Sequence, residues 1–231
     1  MPSDAQLPGV SAVLFDSGGV LMQPLGGRWN PRADFEPTVL AHSPGITDGQ
    51  FAEAVAAGDR FLDAATDTPP YDDYHRILLD HLGIEGTPGL LAELSREVDP
   101  ATVLEVFPDV LGTLDELGRR GVRMAVVSDA WPELPALHDR LGLGGYFEAY
   151  AISAVLGCNK PDPRMYHHAS EALGLAPAQC LFLDDDPELV AAAIALGYEG
   201  LAVSRPGAPA GGAAPAGVAS IGSLSELLEL F

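Results

Sequence analysis

The chain reads as an α/β protein, a mostly parallel sheet sandwiched by helices, with an all-α block inserted near its start. Three observations predict this. Over the second half, short apolar runs alternate with amphipathic stretches of helical length, the pattern of βαβ units. Residues 24–104 hold helical patterns and few strand-like runs. Several apolar runs stop at a polar or charged residue, where a parallel sheet opens on its ligand site. The expected organisation is a discontinuous core of residues 1–23 and 105–231 and an insertion of residues 24–104.

The elements follow in order. Ser11-Ala12-Val13-Leu14-Phe15 is a buried strand running into Asp16. Helices are expected over 47–65, 71–83 and 88–97, broken by Pro69-Pro70 and by Gly86-Thr87-Pro88-Gly89. Gly26-Gly27, near the start of the insertion, reads as a hinge or a turn. Asp109 to Arg120 is a helix with Val110, Leu111, Leu114 and Leu117 on its apolar stripe. Met124 to Val127 is a strand ending at Ser128-Asp129; a helix over 132–142 and a weaker strand, Ala149 to Ile152, come next. Helices over 163–174 and 187–196 flank the strong short strand Cys180 to Leu183, and Gly197 closes the second of them. In Asp162-Pro163 and Asp186-Pro187 the acid caps the helix and proline takes the first helical position. Leu201-Ala202-Val203 is a further strand, 205–218 a low-complexity loop, and Ser223 to Phe231 a short terminal helix with Leu224, Leu227, Leu228 and Phe231 as its stripe.

Composition narrows the function. A chain of 231 residues can bury a sizeable core. Twelve basic against 33 acidic residues give a formal net charge of −21, which argues against nucleic acid or an anionic membrane as partner. An anionic substrate then needs a local positive pocket, and a metal cation helps to supply one. Two cysteines, Cys158 and Cys180, make no disulfide framework, and Cys158 reads as a passive small residue. No apolar run approaches the length of a membrane span and no signal-like segment opens the sequence, so a cytoplasmic protein, monomeric or homodimeric, is expected.

The basic residues hold one lysine, Lys160, among eleven arginines. A lone ammonium in an arginine-rich chain suggests a position that a compact charge fits and a planar fork does not. It lies in Asn159-Lys160-Pro161-Asp162, ahead of the acidic turn Asp184-Asp185-Asp186. Strand ends thus offer Asp16, Ser128 and the pair Asp184 and Asp185, with Lys160 a short loop beyond another strand. Carboxylates gathered on one rim repel each other, and a divalent cation removes that cost. Carboxylate and carbonyl oxygens suit Mg²⁺. Zn²⁺ is a poor fit, because the one adjacent histidine pair, His167-His168, points two ways on a helix.

Val13-Leu14-Phe15-Asp16-Ser17-Gly18-Gly19-Val20-Leu21, then Val127-Ser128, Lys160-Pro161 and Phe182-Leu183-Asp184-Asp185 resemble the four motifs of the haloacid dehalogenase-like (HAD) hydrolases, in order, over residues 11 to about 203. The resemblance implies a Rossmann-like core and makes the insertion a helical cap of the C1 type. It implies that Asp16 is the nucleophile, forming an aspartyl-phosphate on a small phosphorylated metabolite. Asp16, the carbonyl of Gly18, Asp185 and Asp184 would hold Mg²⁺. Ser128, Lys160 and backbone N–H groups around Ser17, Gly18 and Asp129 would hold the phosphoryl oxygens.

One departure stands out. The family's phosphatases usually carry a second aspartate two residues after the nucleophile, as general acid and base; here that residue is Gly18. General acid–base help is typically worth about 10²–10⁴-fold. Three alternatives therefore stand beside the phosphatase: a catalytically weak or silent protein that binds a phosphorylated ligand or partner, a phosphotransferase, and a 2-haloacid dehalogenase. The last needs no metal, and the acidic pair argues against it. Arg28, Trp29, Arg32, Asp59, Arg60, Tyr71, Tyr74 and His75 are the candidates for substrate choice, and Trp131 either lines the site or packs beneath the following helix.

Overall fold

The computed structural model describes residues 7–25, 27–205 and 215–231. Gly26, and the part of the low-complexity stretch from 206 to 214, lie outside the described residues. In chain order the elements are β1 (Ala12–Phe15), β2 (Met22–Pro24), α1 (Phe35–His42), α2 (Asp48–Asp63), α3 (Tyr71–His81) and α4 (Pro88–Leu94). Then come β3 (Leu104–Val106), α5 (Val110–Arg119), β4 (Arg123–Ser128), α6 (Leu134–Arg140), β5 (Ala149–Ile152) and α7 (Ser153–Leu156). α8 (Pro163–Ala172), β6 (Cys180–Asp184), α9 (Pro187–Ala195), β7 (Glu199–Val203) and β8 (Ala219–Ile221) complete the series. The chain forms two compact units, Met1–Gln23 with Val106–Phe231, and Pro24–Glu105.

The first unit is built on a six-stranded sheet in the order β5-β4-β1-β6-β7-β8, and every pairing within it is parallel. β1 is central, with the chain winding outwards on both sides, so the strand order reverses beside it. Such a switch point opens a crevice at the carboxyl ends. Residues of each strand alternate between two cores. Leu14, Val127 and Phe182 pack with Met165, Tyr166 and Ala169 of α8 and Val190 and Ala193 of α9. Val13, Phe15, Leu181 and Leu183 pack with Val110, Leu114 and Leu117 of α5 and with Leu224 and Leu227. This is the α/β sandwich that the alternating runs imply.

Helix starts follow their sequence signals. Asp162 and Asp186 accept from the N–H groups of Arg164 and Glu188 and precede proline at the first helical position. Two readings need correction. Leu111 is exposed, and Thr113 takes its place on the buried face of α5, because Val110, Thr113, Leu114 and Leu117 share one face at helical spacing. The terminal segment forms a 3₁₀ helix, Leu224–Glu229, capped by Ser223.

The second unit is helical, with a core of Phe35, Val39, Phe51, Tyr74, Leu78, Leu79, Leu90 and Leu91. Thr47 and Gln50 form a capping box at the start of α2. β2 and β3 pair with each other in a separate two-stranded sheet.

Candidate active site

Phe15 of β1 is level with Val126 of β4 and Leu183 of β6, and the N–H of Asp16 donates to the carbonyl of Leu183 at 2.8 Å. The register therefore brings Asp16 level with Asp184 on the neighbouring strand. Ser128 ends β4 and is buried. After Asp16 the chain turns. Ser17 is buried, and its carbonyl accepts from the N–H groups of Leu21 and Met22. Gly18 bridges to Met22. Gly19 has φ +70°, and a Cβ there would overlap the Asp185 carboxylate. Glycine is thus required twice over at position 19, by the left-handed backbone and by the close approach of Asp185.

Lys160 arrives on the loop between α7 and α8. Gly157, in the left-handed region, ends α7, and Asp162 begins α8. Asp129 Oδ1 accepts from the Lys160 backbone N–H at 3.0 Å and fixes that loop to the end of β4. The Lys160 side chain is almost wholly buried. Its Nζ donates to Asp16 Oδ1 at 2.8 Å and to Asp184 Oδ2 at 2.6 Å. Burial alone would push this ammonium down, but Asp16, Asp184 and Asp129 outweigh it, so Lys160 stays charged with its value held well above the usual range.

Asp16, Asp184 and Asp185 each present an oxygen within 4.8 Å of the others. Burial pushes the Asp184 carboxyl up, and the like charge of Asp16 adds to this, against the pull of Lys160. Asp185 has a solvent-open face. Even so, the protein crowded around its carboxylate, followed by the charge of Asp16, raises it to about 6. Asp184 Oδ1 also accepts from the N–H of Asp186. Three carboxylates meet one ammonium here, an excess of negative charge whose oxygen donors fit a hard divalent cation such as Mg²⁺.

The structure places the other candidate residues as follows. Ser17 directs its hydroxyl to His138 Nε2 at 2.8 Å, so only its backbone is left to face a phosphoryl group. The carboxylate of Asp129 serves the Lys160 loop. Tyr74 and His75 are buried in the core of the helical unit and are packing residues. Tyr71 packs against both. Arg28 pairs with Glu36, and Arg32 with Asp34. Trp29, Asp59 and Arg60 are exposed, and Trp131 is half-buried with its carbonyl accepting from Leu134 N. Both cysteines are buried and outside any disulfide, and burial raises the Cys180 thiol to about 11.

Sequence reasoning missed His138. Its signal was a polar residue on the apolar face of a helix, four positions after Leu134, the spacing that puts both on one side. Among the described residues, no helix is long and apolar enough to cross a membrane.

Comparison with known proteins adds three findings. Residues 10–197 match a family model described as haloacid dehalogenase-like hydrolase. The chain is 30% identical over 230 residues to "Phosphatase MT3486" of Mycobacterium tuberculosis, covering 95% of this chain and 97% of that one. The fold is similar to an HAD phosphatase from Thermococcus onnurineus (TM-score 0.60, 22% identity, 94% and 96% covered). It is similar also to the L-2-haloacid dehalogenase of Xanthobacter autotrophicus (TM-score 0.65, 20% identity, 94% and 96% covered). At these identities the two structures speak for the fold alone.

Proposed function

This chain belongs to the haloacid dehalogenase-like hydrolases, and on that premise we propose that it is a Mg²⁺-dependent phosphatase acting on a small phosphorylated metabolite. The observation that carries the reading is the convergence of Asp16, Asp184 and Asp185 around one point, with Lys160 bonded to two of them. A phosphatase among the relatives supports it.

Asp16 is assigned as nucleophile. Lys160 holds its Oδ1, which orients the carboxylate and balances its charge. An Asp16 oxygen attacks phosphorus, the ester P–O bond breaks, and the leaving oxygen departs with the bonding pair. Water then attacks the phosphorus of the aspartyl-phosphate, releases inorganic phosphate and returns the free carboxylate. Asp16, Asp184, Asp185 and the carbonyl of Gly18 would hold Mg²⁺, which when bound supplies positive charge to the phosphoryl oxygens. Lys160, the Ser128 hydroxyl and the N–H groups after Asp16 would bind those oxygens. In a loose phosphoryl-transfer transition state such positioning and charge supply most of the catalysis. Because Gly18 has no side chain, a leaving group that needs no proton is favoured. Residues Pro24–Glu105 are proposed to be the cap, with exposed Arg28, Trp29, Asp59 and Arg60 contributing to substrate choice. A cytoplasmic setting fits this chemistry.

The test is hydrolysis of an aryl phosphate with and without Mg²⁺ and in Asp16→Asn. Activity is expected only in the wild type with Mg²⁺. Equal rates in all three would remove the mechanism. Gly18 also sustains a second reading, a silent phosphate-ligand binder or a phosphotransferase. Binding of Mg²⁺ and phosphate without turnover of the aryl ester would select the binder. Transfer to an added alcohol would select the transferase.

A further inference from the structure

Asp16 is braced from both sides by one aromatic cluster that the mechanism above does not use. Phe15, the residue before it, packs edge-on against Phe147 with ring centroids 6.0 Å apart. Ser17, the residue after it, places Oγ 2.8 Å from His138 Nε2. The His138 ring is wholly buried, lies 5.6 Å from both Phe147 and Tyr150, and places Nδ1 3.2 Å from the Tyr150 hydroxyl.

Both ring nitrogens are thus partnered, and burial, which depresses this imidazole to about 4, keeps it neutral at neutral pH. A neutral ring donates from one nitrogen and accepts at the other, so it can link Tyr150 to Ser17 in either order. For filling space, leucine would serve at position 138. What imidazole adds is a directed bond to Ser17. Beyond Ser17 come Gly18 and Gly19, the most permissive residues of the turn, and the next side-chain anchor is Arg205, which donates to the carbonyl of Val20.

We infer that His138 is a positioning residue for the nucleophile: through Ser17 it fixes the turn from Asp16 to Gly19, and with it the aim of the carboxylate and of the N–H groups that follow. This role rests on the phosphatase reading for its kinetic consequence, although the bracing of the turn does not.

The experiment compares Ser17→Ala, His138→Leu, the double variant and His138→Gln, which keeps an amide able to reach Ser17. With an aryl phosphate and Mg²⁺, Ser17→Ala and His138→Leu should each lower kcat by about 10-fold or more, since a shift of about 1 Å can cost about 10²-fold. KM should stay within about twofold. The double variant should be no worse than the worse single one, because both break the same link. His138→Gln should recover most of the rate. Wild-type kcat in Ser17→Ala, or losses that multiply in the double variant, would overturn the inference. Ser17→Ala removes one oxygen and decides the matter even where His138→Leu does not fold. A second readout is amide hydrogen exchange at Gly18 and Gly19, expected to quicken in Ser17→Ala while β1 is unchanged. An inactive wild type would sink the phosphatase reading, and the exchange data would still decide this one: unchanged rates at both glycines would end it.

Discussion

The two units bury polar side chains for different ends. In the α/β unit Asp16 and Asp184 lie buried at strand ends and both accept from Lys160, buried on the loop between α7 and α8, and Ser17 and His138 are bonded beside them. In the helical unit Tyr74 and His75 sit among leucines and aromatics. The Tyr74 hydroxyl has no hydrogen-bond partner among the described residues, and His75 Nδ1 lies 3.4 Å from Ser95 Oγ. At the site the buried polar groups are bonded to one another, whereas the Tyr74 hydroxyl, like Ser11 Oγ and Arg205 Nε elsewhere in the α/β unit, finds no partner among the described residues.

The sharpest way to break this contrast is Lys160→Ala. It would leave two buried carboxylates facing each other without their cation. Losing one partner of such a buried group costs about 3–5 kcal/mol. Activity should fall by about 10²–10³-fold or more. Lys160→Arg should not restore it, because the pocket that takes a compact ammonium between Asp16 and Asp184 does not fit a planar fork. A urea midpoint and an aryl-phosphate assay read both effects. A Lys160→Ala protein as stable as the wild type would show that the ion pairs are not coupled to folding.

Acid should treat the units alike even though their histidines differ in partners. Burial lowers both His75 and His138 from about 6.5 to about 4. Around His75, Asp72 and Asp34 pull upwards and Arg32 downwards; around His138 burial acts alone. Above pH 6.5 both states are neutral and no penalty exists. As pH falls below 6.5 the unfolded chain takes up a proton that the folded chain refuses until about pH 4, so stability drops through that window. Each histidine contributes a slope of about 1.4 kcal/mol per pH unit there. His75→Gln and His138→Gln should each remove one such slope from urea midpoints measured between pH 7 and 4. An unaltered slope would show that the ring is charged or exposed when folded.

Two glycines sharpen the contrast at smaller cost. A Cβ at Gly58, in α2, would lie 2.5 Å from Leu78 and 2.7 Å from Tyr74. Gly58→Ala should cost about 1–3 kcal/mol of stability by overpacking and leave Mg²⁺ binding alone. Gly19→Ala pushes instead on Asp185. It should weaken Mg²⁺ by about 10–100-fold, the range for changes that misorient a ligand from behind. Calorimetric titration with Mg²⁺ alone separates them; equal affinity in both variants would dissolve the distinction.

What the sequence displayed and what it hid follow from the same physics. Asp16, Ser128 and the acidic pair each adjoin an apolar run, and Lys160 is conspicuous by composition, so the rim of the sheet could be listed before it was seen. β2, β3 and β8 have three residues each, too few to show a period of two. α1 carries Pro37 in its first turn and has no side-chain cap at Asp34, so its start does not announce a helix. Leu111 is adjacent to the buried stripe, one step of about 100° away, and apolarity alone could not exclude it. The bond between Ser17 and His138 joins residues 121 apart. Nothing local to either residue encodes it; only the register of β1 and the placement of α6 bring them together.

The smallest effect has the most telling sign. Tyr74→Phe removes a buried hydroxyl that has no partner among the described residues. A desolvated polar group left unbonded costs about 1–3 kcal/mol, and replacing it by an apolar group of the same shape is neutral or stabilising. Tyr74→Phe should therefore raise stability slightly, by up to about 1 kcal/mol. Ser17→Ala removes a hydroxyl as deeply buried, but one that His138 uses, and it should lower stability by about 1 kcal/mol or more. Opposite signs in the two urea midpoints would confirm that the hydroxyl beside the site is bonded and the one in the helical core is not. A destabilised Tyr74→Phe would mean that the phenol has a partner in solution, and the helical unit would then hold a polar site of its own.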